Sequence, residues 1–77
     1  MDVVLYSRPG CHLCDQAREV LTAERARTPF AFSEVDIESS DELLRAYGIR
    51  IPVVTIDGAE RFEIEVDPSA LATILRR

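Results

Sequence analysis

The first 37 residues constrain the fold more than any other stretch, because they read as strand, helix and strand with little between. Val3-Val4-Leu5-Tyr6 is a short unbroken apolar run, the pattern of a strand covered on both faces. After the Pro9-Gly10 turn, a helix is expected from about His12 to Arg27. Leu13, Ala17, Val20 and Leu21 fall at i, i+4, i+7 and i+8 and share one helical face, and Thr28-Pro29 stops the helix. Phe30 to Ile37 predicts a second strand, rich in β-favouring Phe30, Phe32, Val35 and Ile37. A helical crossover between two such strands makes them parallel, with a right-handed connection.

The second half adds a short helix, a hairpin and a last helix. Ser39 as N-cap with Glu42 three residues on forms a capping-box pattern. The helix runs through Leu43, Leu44 and Tyr47, and Gly48 is expected as its left-handed stop. Val53 to Ile56 and about Glu60 to Ile64 flank Asp57-Gly58, a strong hairpin turn. Glu60, Arg61, Glu63 and Glu65 put charge along the last strand, as suits an exposed edge. Asp67 and Pro68 open the final helix as N-cap and first residue. Leu71, Ile74 and Leu75 face inward, and Arg76 and Arg77 lie at the negative end of the helix dipole. The order β-α-β-α-β-β-α predicts an α/β fold in one domain over 1–77, a four-stranded mixed sheet with three helices. Internal repeats and low-complexity segments are absent from the sequence.

A chain of 77 residues has room for one core and a thin stability margin. Its formal charge of −5 argues against nucleic acid and anionic membranes as partners, and its basic residues form no patch. The run Val3 to Tyr6 is cut off by Ser7, Arg8 and Pro9 too soon for a signal core. No segment approaches the ~20 apolar residues of a membrane-spanning helix. A cytoplasmic monomer with reduced thiols is therefore expected. In that compartment Cys11-His12-Leu13-Cys14 points to redox or metal chemistry more than to a structural staple.

Cys11 falls at the N-cap or first turn of the first helix, among unpaired backbone N–H groups. Cys14, three residues on, is its neighbour and is drawn toward the sheet. That asymmetry suits disulfide exchange, in which an accessible thiolate attacks and a second thiol releases the mixed disulfide. A free thiol of pKa about 8.5 is only ~3% ionised at pH 7. A helix N-terminus contributes roughly 0.3–1 kcal/mol toward the thiolate, up to about 2 in good geometry. Arg8, protonated His12 and the Cys14 S–H add to this, so Cys11 is expected to ionise below an ordinary thiol. The alternative is a zinc or iron–sulfur module using the same thiols. One Cys-x-x-Cys is half of a tetrahedral site, and the lone histidine, His12, sits awkwardly between the two cysteines. Two inert buried thiols are a weaker possibility, since Pro-Gly at a helix start is a poor place to hide Cys11. Asp41-Glu42 reads as helix-start charge rather than as a catalytic pair.

The stretch VVLYSRPGCHLC resembles the opening of glutaredoxins, where a strand, a basic residue, Pro-Gly and Cys-x-x-Cys follow in that order. YGIRIPVVTIDG resembles the later block of glutaredoxins and thioredoxins, in which Ile-Pro precedes a strand and a turn. The resemblance implies the thioredoxin fold and thiol–disulfide oxidoreductase activity, with Cys11 and Cys14 as the catalytic pair. It implies that Pro52 is cis and faces the cysteines, and that Ile51 offers its backbone to an extended substrate. Arg8 matches the family's basic residue that contacts the glycyl carboxylate of glutathione, a pairing that suits a guanidinium. Tyr6 reads as strand packing rather than substrate contact. The implied substrates are disulfides of proteins or small molecules. The resemblance also implies that no cofactor is tightly bound and that glutathione or a thioredoxin-type reductase restores the dithiol.

Two departures from the family stand out. His12 and Leu13 replace the usual proline and aromatic residue, and protonated His12 near the substrate-binding surface favours the thiolate and so raises oxidising power. The Gly-Gly pair and following Thr-Asp that hold the glutamyl end of glutathione are replaced by FEIEVDPSAL, with Ala70 where an acid is expected. Asp67 is better explained as a helix cap than as a partner for the glutathione amine.

Overall fold

The computed structural model describes residues 1–76. The N-terminal apolar run becomes β1 (Asp2–Ser7), flanked on both sides: it pairs parallel with β2 (Ala31–Asp36) and antiparallel with β3 (Val53–Ile56). β4 (Ala59–Glu63) closes the order β2-β1-β3-β4, so the charge-bearing strand is an edge, as its sequence requires. Between the strands run α1 (His12–Arg27), a single 3₁₀ turn (Ile37–Ser39), α2 (Asp41–Tyr47) and, last, α3 (Pro68–Leu75). The mixed sheet and three helices are those expected from the pattern. The expected dipole role of Arg77 lies outside the described residues.

Alternation along β1 and β3 sorts the sheet into two faces. Val3, Leu5, Val54 and Ile56 point to one side, where Ala17 and Leu21 of α1 and Leu71 and Leu75 of α3 cover them. Burying each large side chain of this cluster contributes about 1.5–3 kcal/mol, which makes this face the main source of stability. Tyr6, between Leu5 and Ser7, points the other way and stacks on Tyr47 of α2, with ring centroids 4.5 Å apart. None of α2's own residues is buried, so this second face has the thinner cover. Asp57 and Gly58 both take positive φ, 52° and 85°, the primed turn that matches strand twist. The Asp57 carboxylate also accepts the Asp2 N–H at 2.8 Å, tying the turn to β1.

Four local expectations are corrected. Ser40, not Ser39, caps α2, its hydroxyl accepting from the N–H groups of Glu42 and Leu43. Asp36 starts the 3₁₀ turn first and engages Ser39, whose hydroxyl donates to the Asp36 carbonyl at 2.6 Å; the helix therefore begins one residue later. Gly48 is right-handed (φ −46°, ψ −42°), so it is no left-handed stop. A side chain there would run into the Leu44 carbonyl oxygen, which accepts the Gly48 N–H; close approach, not handedness, calls for glycine. Leu13, expected on the inward face of α1, is 41% exposed, because Cys14 takes the inward place in the first turn. Finally, β4 ends at Glu63 and Ile64 leaves the strand with φ 69°.

Gly48→Ala is expected to destabilise the protein by about 1–3 kcal/mol, as overpacking does, although the position has helical dihedrals. Urea unfolding measures this, and a neutral or stabilising result would show that the Leu44 carbonyl yields to the methyl group.

Candidate active site

Register brings the site together. Tyr6 of β1 lies opposite Val53 of β3, so the loop leaving β1 (Arg8 to Gly10) runs beside the segment entering β3. Gly10, at φ 76°, makes the turn that a side chain would resist, and Cys11 follows in extended conformation as the N-cap of α1. Its sulfur stands where a serine or aspartate oxygen caps other helices, and it accepts the Cys14 N–H at 3.1 Å. Cys11 is half-buried and Cys14 fully buried. The two are joined in a disulfide with Cα atoms 5.2 Å apart, inside the usual range. The arrangement puts the sulfur of a half-buried residue in the positive field of a helix terminus, bonded to the sulfur of a fully buried one.

His12 is exposed next to the pair. Arg8 is exposed as well, and its guanidinium pairs with Glu38 at 2.9 Å. Both side chains are nearly half exposed, so this ion pair is weak and open to competition from a ligand carboxylate. The Ile51–Pro52 peptide is cis, with Ile51 half-buried and Pro52 buried. Tyr6 packs on Tyr47, and Asp67 accepts the Ser69 N–H at 3.1 Å as the cap of α3. Ala70 is half-buried on α3. For the metal alternative, no three His, Cys, Asp or Glu side chains among the described residues converge on one point.

Other residues that the sequence did not single out brace the site. Arg18 of α1 makes a bidentate pair with Glu34 of β2 (2.8 and 2.5 Å) and also reaches Asp15 at 2.8 Å. The buried Ser7 hydroxyl donates to Glu34 at 2.7 Å, so the end of β1 is tied to β2 and α1 just before the Arg8 loop. The Arg18 guanidinium first, and then Ser7, holds the Glu34 carboxyl below its usual value. Arg50 fastens the other side. Its guanidinium donates to the Ala46 carbonyl (2.8 Å), Glu60 (2.8 Å) and Glu63 (3.3 Å), and lies 5.4 Å from the centre of the Tyr47 ring. This joins the end of α2 to β4 immediately before Ile51-Pro52.

Beyond β4 the chain makes a γ-turn centred on Ile64. The Glu65 N–H donates to the Glu63 carbonyl at 2.7 Å and Ile64 has φ 69°, the rare form of this turn. A β-branched residue there costs of order 1–3 kcal/mol. The Ile64 N–H donates to the carbonyls of Pro52 (2.8 Å) and Arg50 (3.1 Å), which holds the turn against the cis-proline segment. The braces between elements carry no local sequence signal, since Ser7 and Glu34 are 27 residues apart, Arg18 and Glu34 16 and Arg50 and Glu63 13; only Arg18–Asp15 and Arg50–Ala46 fall at helical spacing. Absence of the family's Gly-Gly was the one hint at Ile64.

This geometry has counterparts among known proteins. Residues 2–76 match the model of the Glutaredoxin-like domain (DUF836). The chain belongs to this family. The domain is 32% identical over 80 residues to Uncharacterized protein Rv0508 of Mycobacterium tuberculosis, an alignment covering 97% of this chain and 82% of that protein. The crystal structure of target protein XcR50 from X. campestris is similar at 40% identity and TM-score 0.79, over 96% of this chain and 95% of that one. Protein Ne2328 from Nitrosomonas europaea is similar at 26% identity and TM-score 0.82, over 96% and 89%. A mutant thioredoxin from Halobacterium salinarum shares the fold at TM-score 0.67 and 24% identity, over 97% and 71%. The glutaredoxin-like domain thus has a thioredoxin fold with a Cys11–Cys14 pair at the start of its first helix. Among the described residues no helix is long and apolar enough to cross a membrane.

Because its folded-state value is depressed, Glu34 contributes stability in full above its ordinary value of 4.5, and that contribution is lost as pH falls through the lower folded value. The partners are 38% and 31% exposed, and solvent screening limits the effect to about 1 kcal/mol. Thermal melts against pH should show wild type losing stability below 4.5 more steeply than Glu34→Gln; parallel curves would remove this pair from the stability account.

Proposed function

We propose that this domain is a dithiol thiol–disulfide oxidoreductase. The observation that carries the reading is half-buried Cys11 at the N-cap of α1, its sulfur accepting the Cys14 N–H and bonded to the sulfur of buried Cys14. In the reduced protein the Cys11 thiolate attacks one sulfur of a substrate disulfide. A bond forms between Cys11 and that sulfur, the substrate S–S bond breaks, and the leaving thiolate takes a proton from water. The Cys14 thiol then loses its proton and attacks the Cys11 sulfur. This forms the Cys11–Cys14 bond and releases the second substrate sulfur as a thiol. The substrate gains two electrons from the cysteine pair and two protons, one from the Cys14 thiol and one from water.

Arg8, and His12 when protonated, supply positive charge near the attacking sulfur, and the half-buried Ile51 backbone is the docking edge for an extended substrate. Arg8 binds an anionic substrate group such as the glycyl carboxylate of glutathione, in competition with Glu38. The thioredoxin-fold neighbours and the family support this class of chemistry. A glutathione couple or a thioredoxin-type reductase returns the dithiol. The Gly-Gly and Thr-Asp that hold the glutamyl end are missing, which leaves Arg8 as the main handle on glutathione.

Titration of thiolate absorbance should place Cys11 below the ordinary thiol value of about 8.5. Cys11→Ser should abolish reduction of insulin or of a small mixed disulfide. Cys14→Ser should accumulate a covalent adduct between Cys11 and substrate, visible by mass spectrometry. An unshifted Cys11 titration, or an active Cys11→Ser, ends the proposal. Glu38→Gln, by freeing Arg8, should lower KM for glutathione disulfide roughly threefold, within the range of an exposed ion pair. An unchanged KM would take Arg8 out of glutathione recognition.

A further inference from the structure

We propose that Leu13 and Ile64 form a subsite for one branched aliphatic side chain next to the disulfide of a polypeptide substrate, and that Ile64 keeps its left-handed backbone because that conformation holds its side chain on the subsite rim. This deepens the oxidoreductase reading and rests on it. Leu13 lies between the two cysteines and is 41% exposed; Ile64 is 43% exposed. Together with Ala17, Val20, Val66 and the polar Gln16 they line a cleft of about 90 Å³. That is roughly three water volumes, room for a single aliphatic side chain.

Two apolar residues exposed separately would mean little. Here they share one cleft, and one of them sits in a conformation that its own chemistry resists. Glycine would make the same γ-turn without strain, and the backbone hydrogen bonds to Pro52 and Arg50 do not depend on the side chain. An isoleucine in that place adds only what its side chain touches. Leu13 lies between the two cysteines in the chain and the Ile64 N–H donates to the Pro52 carbonyl, so the cleft adjoins both segments of the disulfide site, although its lining includes neither cysteine. Glu65 lines the same cleft, and the chain carries a formal charge of −5. The matching occupant is therefore a disulfide-bearing polypeptide with an aliphatic residue flanked by basic ones.

The test uses the full chain, pre-reduced and freed of reductant. It is mixed with one of two Lys-flanked peptides cyclised by a disulfide, identical except for Leu or Ser beside the first cysteine. Formation of the Cys11–Cys14 disulfide is followed by quenching and mass spectrometry. Wild type is expected to oxidise about tenfold faster with the Leu peptide, a typical discrimination for an apolar subsite. Ile64→Gly should reduce that ratio to near one while melting no lower than wild type, and Ile64→Val should retain the preference. Wild type that reduces both peptides equally overturns the subsite and leaves the oxidoreductase reading standing. Wild type that reduces neither overturns both. A large drop in the melting temperature of Ile64→Gly assigns Ile64 to packing and overturns the role given to its backbone. If that variant does not fold at all, Leu13→Ser carries the selectivity measurement, with an unchanged ratio counting against the subsite. A dimer in solution that Ile64→Gly dissociates would show that a second copy covers the cleft, and would likewise overturn the assignment.

Discussion

The antiparallel register of β1 against β3 is the constraint from which the site follows. With Tyr6 opposite Val53, the chain leaving β1 and the chain entering β3 emerge at the same end of the sheet. The first of these delivers Cys11 to the start of α1, and the second carries the cis Ile51–Pro52 peptide. Slipping the register by one residue would turn Val3 and Leu5 away from α1 and α3, so burial of the core locks the geometry of the site. Stability and site therefore share a single cause.

Around that frame the two loops are braced differently. The cysteine loop is anchored from below, by Ser7 and the Arg18–Glu34 pair, and its outer face stays open. The proline segment is held from the side, by Arg50 reaching α2 and β4 and by the Ile64 amide. Most of these contacts are partly exposed and individually weak. Their effect is to fix where two backbone segments lie, rather than to add much to stability. Charge is paired in the same way: Glu38 engages Arg8 and Glu34 engages Arg18, within a chain that is acidic overall.

The order and type of the four strands and three α-helices were legible in the sequence, because burial on a sheet or helix face forces a period and turns demand particular residues. The period-2 and helical patterns, Asp57-Gly58 and Asp67-Pro68 all act over a few neighbours. Cys11 as a helix cap followed from Pro9-Gly10 and the apolar spacing that comes after it. Errors arose where two local signals competed. Asp36 engaged Ser39 before the helix could use it, Cys14 displaced Leu13 from the interior, and Ile64 read as strand because its β-propensity hid the turn.

By itself the sequence determined the layered α/β architecture, the edge position of the last strand and the placing of two thiols at a helix start. Each is set by residues adjacent in the chain or one helical turn apart. Only the tertiary structure decided that Arg8 faces Glu38, that Arg18 and Ser7 converge on Glu34, and that Leu13 and Ile64 share a cleft. The physical reason is distance along the chain. Side-chain contacts between segments tens of residues apart have no period and no neighbour rule, and they exist only once the sheet has brought those segments together.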